Sequence, residues 1–207
     1  MGDLFDEIGK LLNVVGSSCK RHALLRQKQA EKLKEALDND EIETGRGLNQ
    51  QLAPIRAGDT RWGSHYKSLV NVSRMFDSIM DALEIIEREG ETSTIRNDAT
   101  SRITYLSSFN FAFTLQLMLN ILGITHDLSQ ALQRKDQNIA NAMKLVRVTR
   151  EQLESMRNDG WDSLMDKTRA FCVNHNISIL NMDDKWLLPR RPRRNVEERT
   201  SEFYYRV

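Results

Sequence analysis

The chain has 207 residues, of which 40% are hydrophobic and 29% are charged, so it is long enough for one large hydrophobic core or two small ones. Its 30 basic and 29 acidic residues give a net charge of +1, which leaves only local patches to attract nucleic acid. The first residues do not form a secretory signal, no membrane-spanning apolar run is expected, and two cysteines are too few for a disulfide framework. We therefore expect an intracellular, soluble, globular protein.

Apolar residues recur at helical spacing in two N-terminal segments, within residues 1–37. The first segment ends at Gly16, and the pattern predicts either two antiparallel helices or one kinked helix. Residues 38–63 are rich in Gly and Asp with little apolar periodicity, which predicts an irregular loop. This loop ends in the motif Thr60-Arg61-Trp62.

Residues 64–176 are predicted to form the long core helices. A helix of about 25 residues is expected to begin at Ser64, as its N-cap, and to end near Gly90. Residues 94–133 are apolar on nearly every face, which is typical of a central buried helix.

Two more helices are predicted, over residues 139–160 and 161–172. Residues 176–180 suggest a strand, but a single strand cannot form a sheet. The predicted fold is therefore an all-α, irregular multi-helix bundle over residues 1–180. A basic, mostly extended tail is expected over residues 181–207.

The tail contains prolines, which oppose helix formation, and a cluster of arginines that repel one another. These arginines are Arg190, Arg191, Arg193 and Arg194. One interpretation is a solvated linker, and the other is a segment that contacts phosphates or directs nuclear import. The two interpretations are compatible.

No catalytic motif of a common type occurs in the chain. The segment Thr44-Gly45-Arg46-Gly47 lacks the Lys-Ser/Thr of a phosphate-binding loop, and no nucleophile elbow, zinc-protease helix or kinase motif is found. Carboxylates are numerous, but on amphipathic helices they indicate a solvated face. A two-metal site needs carboxylates that converge on ions about 3.5–4 Å apart, usually on a rigid sheet.

Two Cys-x-x-His pairs are a weaker signal, Cys19 with His22 and Cys172 with His175. A spacing of three residues places both side chains on one helix face, and two such pairs can in principle complete a tetrahedral zinc site. However, the pairs are far apart in ordinary helical sequence. We therefore favour Cys172 as a core residue and His22 as a surface residue, and we expect no metal and no other cofactor.

The segment Thr60-Arg61-Trp62-Gly63-Ser64-His65 combines residue types that stack on bases, bind phosphate and form turns. With four other segments it resembles the central part of plant hAT-superfamily transposase-derived proteins, often labelled zinc finger MYM-type-like or TTF-type. The matching segments are residues 13–21, 41–50, 59–66, 128–136 and 204–207. The resemblance covers nearly the whole chain.

The resemblance implies a specific origin for the fold. In this superfamily a large all-helical domain is inserted into an RNase H-like catalytic domain, between its second and third catalytic acids. The chain resembles this inserted domain alone. The resemblance therefore implies a nuclear fragment without catalytic activity that retains DNA binding.

The resemblance also implies roles for individual residues. Trp62 would stack on a flipped base, an interaction worth about 1–3 kcal/mol that offsets the cost of extruding the base. Arg61 would contact or orient a phosphate, and Thr60 would shape the turn. We infer weak backbone contacts for His65 and Lys67.

Two alternatives are left open by the sequence. In the first, Trp62 serves only to anchor the loop on the helix that follows. In the second, the chain is a helical module for protein interaction or self-association with no role in DNA binding, which large exposed apolar patches would favour. The expected partners are DNA, another protein or a second copy of the chain, and neither a membrane nor a small-molecule substrate is expected.

Overall fold

The computed structural model describes residues 2–38, 62–135, 137–184 and 200–206. Within these ranges the chain forms nine α-helices and no strand, which confirms the all-α prediction. The helices are α1 (Gly2–Gly16), α2 (Cys19–Asp38), α3 (Trp62–Arg74), α4 (Phe76–Glu89), α5 (Ser93–Leu106), α6 (Phe109–Leu132), α7 (Ile139–Asp159), α8 (Trp161–Asn174) and α9 (Ser201–Arg206). The N-terminal segment forms two helices that pack against each other, rather than a single kinked one.

The helix predicted from Ser64 to Gly90 is present but differs in two respects. It begins at Trp62, so the prediction of Ser64 as the N-cap is wrong. It is also divided at Met75 into α3 and α4. Helical hydrogen bonds continue on both sides, from the Met75 amide to the Asn71 carbonyl at 2.9 Å and from the Ile79 amide to the Met75 carbonyl at 2.8 Å. The division is therefore a kink within one long helical segment.

The apolar stretch over residues 94–133 forms two helices instead of one. The chain leaves α5 after Leu106, and Ser108 takes an extended conformation before α6. The Ser108 hydroxyl accepts a hydrogen bond from the Phe111 amide at 3.1 Å and donates one to the Tyr105 carbonyl at 2.7 Å. This N-cap satisfies an otherwise unpaired amide of the first turn and fixes where α6 begins.

The strand suggested by residues 176–180 is not present, because these residues complete the C-terminus of α8. Asn176 adopts a left-handed φ of 55°. The Ile177 amide donates to the Cys172 carbonyl at 2.8 Å, and the Asn176 amide donates to the Val173 carbonyl at 3.4 Å. This is the hydrogen-bond pattern of a Schellman cap. The side chain of Ile177 is buried, so its apolar character reflects packing rather than a strand.

Helix α6 is the centre of the bundle and packs against α1, α3, α5, α7 and α8. Seven of its residues are buried, and Phe111 and Leu115 are fully enclosed.

Although the sequence predicts no membrane-spanning run, α6 is the one described helix with sufficient length and apolar composition to cross a membrane. The core helix of a soluble bundle meets the same criterion.

The last residues of the chain do not follow the prediction of an extended tail. Ser201–Arg206 form α9, which is tied to the preceding chain by a hydrogen bond from the Ser201 amide to the Asp184 carbonyl at 2.9 Å. The ring centroid of Tyr205 lies 5.6 Å from that of Phe109 and 4.8 Å from that of Phe113. Helix α9 therefore docks on the first turn of α6.

Burial raises the pKa of the Tyr205 phenol to about 12, with a smaller contribution from neighbouring Tyr204. In the unfolded chain this phenol ionises near pH 10. Between these values the unfolded state binds fewer protons than the folded state, so stability should fall as pH rises from 10 to 12. We expect the urea midpoint to drop between pH 9 and pH 11.5, and to drop less in Tyr205→Phe. An equal drop in Tyr205→Phe would contradict this assignment.

Two glycines should respond in opposite ways to replacement by alanine. A Cβ at Gly123, within α6, would lie 3.6 Å from the Tyr66 ring, an ordinary van der Waals contact. A Cβ at Gly160, between α7 and α8, would lie 2.3 Å from the Met156 carbonyl oxygen and force the backbone to shift. We expect Gly123→Ala to stabilise the fold by up to about 1 kcal/mol through helix propensity. Gly160→Ala should destabilise it by about 1–3 kcal/mol, and urea denaturation would detect both changes.

Candidate nucleic-acid interface

A groove of about 970 Å³ lies between the first turn of α3 and the C-terminal half of α6. Its floor is apolar and its rim carries hydroxyl, amide, imidazole and amine groups. The lining residues are Gly63, Ser64, Lys67, Met118, Ile121, Leu122, Thr125, His126, Ser129, Gln130 and Gln133. An apolar surface bordered by a few polar groups is typical of a ligand-binding site.

Small residues and ring contacts bring α3 and α6 together at this groove. A Cβ at Gly63 would meet the Nδ1 atom of His126 at 3.5 Å, so the backbone of α3 passes close to the imidazole. The centroid of the His126 ring lies 4.9 Å from that of Tyr66, and its Nε2 atom lies 2.9 Å from the amide nitrogen of Gln130. These contacts hold His126 at the wall of the groove.

The electrostatic character of the groove suits an anionic ligand. The N-terminal turn of α3 carries the positive end of the helix dipole. Lys67 is exposed on the rim. None of the described residues that line the groove is acidic.

The structure separates the predicted site residues. Trp62 is the first residue of α3 and immediately precedes Gly63 of the groove, and Lys67 lines the groove one turn further on. His65 is half-buried, and its ring packs edge-on against Phe5 of α1 with centroids 4.7 Å apart. His65 is therefore engaged in helix packing and does not line the groove. The remaining predicted residues lie outside the described part of the chain: Thr60, Arg61, Arg190, Arg191, Arg193 and Arg194.

Sequence reasoning did not identify the wall that α6 contributes. Its polar residues interrupt a helix that is otherwise apolar, and they recur at helical spacing. They are Thr125, His126, Ser129, Gln130 and Gln133. A polar stripe in the C-terminal half of a buried helix is a signal for a solvent-lined groove. The earlier half of α6 supplies buried phenylalanines instead.

The two Cys-x-x-His pairs occupy different environments. Cys172 is fully buried, which raises the pKa of its thiol, and this confirms the prediction of a core residue. Cys19 is exposed, and His22 is half-buried rather than on the surface as predicted. His175 packs on Phe171 and its Nδ1 atom lies 2.6 Å from the Oδ1 atom of Asp77. Within the described residues no three His, Cys, Asp or Glu side chains form a cluster that could hold a metal.

The chain matches no protein-family model, and no solved structure matches its fold. The resemblance to hAT-superfamily proteins therefore stays a prediction, and the groove beside Trp62 is the structural basis for inferring a function.

Proposed function

We propose that this chain binds DNA at an unpaired or extruded base and does not itself cleave DNA, as expected of a helical domain derived from a hAT-superfamily transposase. The observation that carries the proposal is the groove that begins directly after Trp62. This groove combines an apolar floor, a polar rim and a basic side chain, and no carboxylate is among the described residues that line it. A DNA partner implies a nuclear location.

A nucleobase has apolar faces and polar edges, which is also how the groove is divided. Met118 and Ile121 would contact a base face. On the rim, Ser129 and Gln133 form a hydrogen-bonded pair at 3.0 Å and would offer donors and acceptors to a base edge. Stacking on an aromatic side chain is worth about 1–3 kcal/mol per base and requires no particular sequence. We therefore infer recognition of DNA structure rather than of sequence.

The phosphates that flank the base would lie over the first turns of α3. The positive end of the α3 dipole attracts phosphate oxygens, and Lys67 adds a full positive charge on the same side. Arg61, the residue before Trp62, completes the proposed contacts. Because the net charge of the chain is only +1, binding should depend on these few residues.

The proposal is tested by fluorescence anisotropy with three DNAs: a perfect duplex, a duplex with one unpaired base, and a hairpin. We expect tighter binding to the two DNAs that offer an unpaired base. Lys67→Ala should weaken binding and reduce the magnitude of the salt slope by about 0.7–0.9, the value for one lost phosphate contact.

Lys20→Ala is the matched control for Lys67→Ala, because Lys20 is also exposed but does not line the groove. Its binding and salt slope should equal those of the unmodified chain. No binding at low salt, or equal affinity for all three DNAs, would refute the proposal.

A further inference from the structure

We propose that α7 forms an antiparallel pair with α7 of a second copy, which makes the chain a weak homodimer. Helix α7 has only one buried residue, Thr149, although it packs on α6 and α8. Its outer face exposes large apolar side chains: Ile139 is 83% exposed, Met143 70% and Val146 50%. Such contiguous apolar exposure is typical of an interaction surface.

The exposed residues belong to a regular seam along the helix. From Ile139 the seam continues through Met143, Val146, Arg150 and Leu153 to Arg157, with spacings that alternate between four and three residues. This alternation is the repeat of a coiled-coil contact, in which side chains of one helix insert between those of another. The first half of the seam is apolar and projects from the bundle.

The second half of the seam, together with Val146, borders a groove. A groove of about 410 Å³ between α6 and α7 is lined mainly by apolar atoms. The residues of α7 that line it include Arg150, Leu153 and Arg157, and Leu128 contributes from α6. In a two-fold symmetric contact, the projecting side chains of each copy face the groove of the other copy. The two surfaces on one helix are therefore complementary.

We place the two copies of α7 antiparallel, with the two-fold axis at the level of Val148. The first half of each seam then faces the second half of the other. Ile139 then lies opposite Arg157 of the second copy, Met143 opposite Leu153, and Val146 opposite Arg150. The projecting apolar side chains of each copy thereby cover the groove of the other. The outer parts of Arg150 and Arg157 can remain in water while their stems cover apolar surface.

The charges on α7 favour the same arrangement. Residues 139–150 contain three basic residues and no acidic residue, a net charge of +3, whereas residues 151–159 contain one basic and three acidic residues, a net charge of −2. Antiparallel pairing places the positive half of each helix beside the negative half of the other. A parallel pair would place like charges together. Lys144 makes no ion pair within the described residues and is available for such a contact.

The interface should be weak because it is small. A helix of 21 residues is about 31 Å long, and a single helix pair of that length buries less than the roughly 800 Å² per partner of a standard interface. We therefore expect reversible association at micromolar concentrations.

Sedimentation velocity on the full chain, without DNA, tests the proposal independently of the nucleic-acid site. The unmodified chain should pass from monomer to dimer as concentration rises, and Met143→Glu should remain monomeric. Val148→Glu is the matched control, since Val148 lies on the same helix, about 200° around the axis from Val146. It should dimerise as the unmodified chain does, with circular dichroism verifying that both variants fold.

A chain that stays monomeric at every concentration, or equal dimerisation of Met143→Glu and the unmodified chain, would overturn the proposal. Loss of dimerisation in a folded Val148→Glu variant would equally reject the seam. The orientation is tested with a chain that carries all four substitutions Lys144→Glu, Arg147→Glu, Glu151→Lys and Glu154→Lys, which exchange the signs of the two halves of α7. Antiparallel pairing predicts that this chain dimerises with itself but not with the unmodified chain, and a mixed dimer stronger than either homodimer would exclude antiparallel pairing.

Discussion

Replacement of Phe111 by alanine is expected to destabilise the fold by about 3–5 kcal/mol, the range for a buried phenylalanine. Phe111 lies in the first turn of α6 and is fully enclosed. Its ring centroid is 6.0 Å from that of Phe76 and 5.5 Å from that of Tyr105. It therefore connects α4, α5 and α6, and its loss leaves a cavity where three helices meet.

The measurement is the free energy of unfolding in urea, and Val173→Ala is the control. Val173 is an apolar residue of α8 but is largely exposed, so its truncation should change the free energy of unfolding by no more than about 0.5 kcal/mol. A loss of under 1 kcal/mol in Phe111→Ala would show that α6 is not the packing centre of the bundle.

Replacement of Trp62 by alanine is expected to weaken binding to DNA with an unpaired base by about 5-fold to 150-fold. This range corresponds to the loss of about 1–3 kcal/mol of stacking free energy. Affinity for a perfect duplex should change much less, because no base is available for stacking. Trp62→Phe should retain part of the preference, since a smaller aromatic ring still offers a stacking surface.

Trp161→Ala is the matched control for the Trp62 variants. Trp161 begins α8 and packs against Phe113 with ring centroids 6.1 Å apart, and the Arg206 guanidinium lies 5.7 Å from its ring centroid. Its loss should lower stability without changing the preference for unpaired bases. If Trp62→Ala instead lowers stability and leaves the DNA preference unchanged, Trp62 is an anchor for the loop, the alternative that the sequence left open.

The helices could be predicted because the spacing of apolar residues along the chain matches the helices of the structure. The breaks in apolar periodicity at Gly16, Gly90 and Gly160 all coincide with helix ends in the structure. The internal breaks were harder, because they depend on one or two hydrogen bonds. Ser108 caps α6 through its hydroxyl, and a serine inside an apolar run does not by itself show whether it caps a helix or faces solvent.

The sequence does not predict which apolar helix faces are buried. Apolar periodicity shows which side of a helix is apolar, but not which element packs against that side. Ile139 and Phe111 both fit a helical pattern, yet Phe111 is enclosed and Ile139 is almost fully exposed. His65 and Lys67 are similarly close in sequence, but one packs on Phe5 while the other borders the groove. Only the arrangement of α1, α3 and α6 separates these two residues.

The most direct test of the proposed DNA contact places a fluorescent adenine analogue at the unpaired position of the duplex. Stacking on an aromatic ring quenches such an analogue, so addition of the unmodified chain should lower its emission. Addition of Trp62→Ala, at a concentration that saturates the DNA, should leave the emission high. Equal quenching by both proteins, or no quenching by either, would contradict the stacking of a base on Trp62.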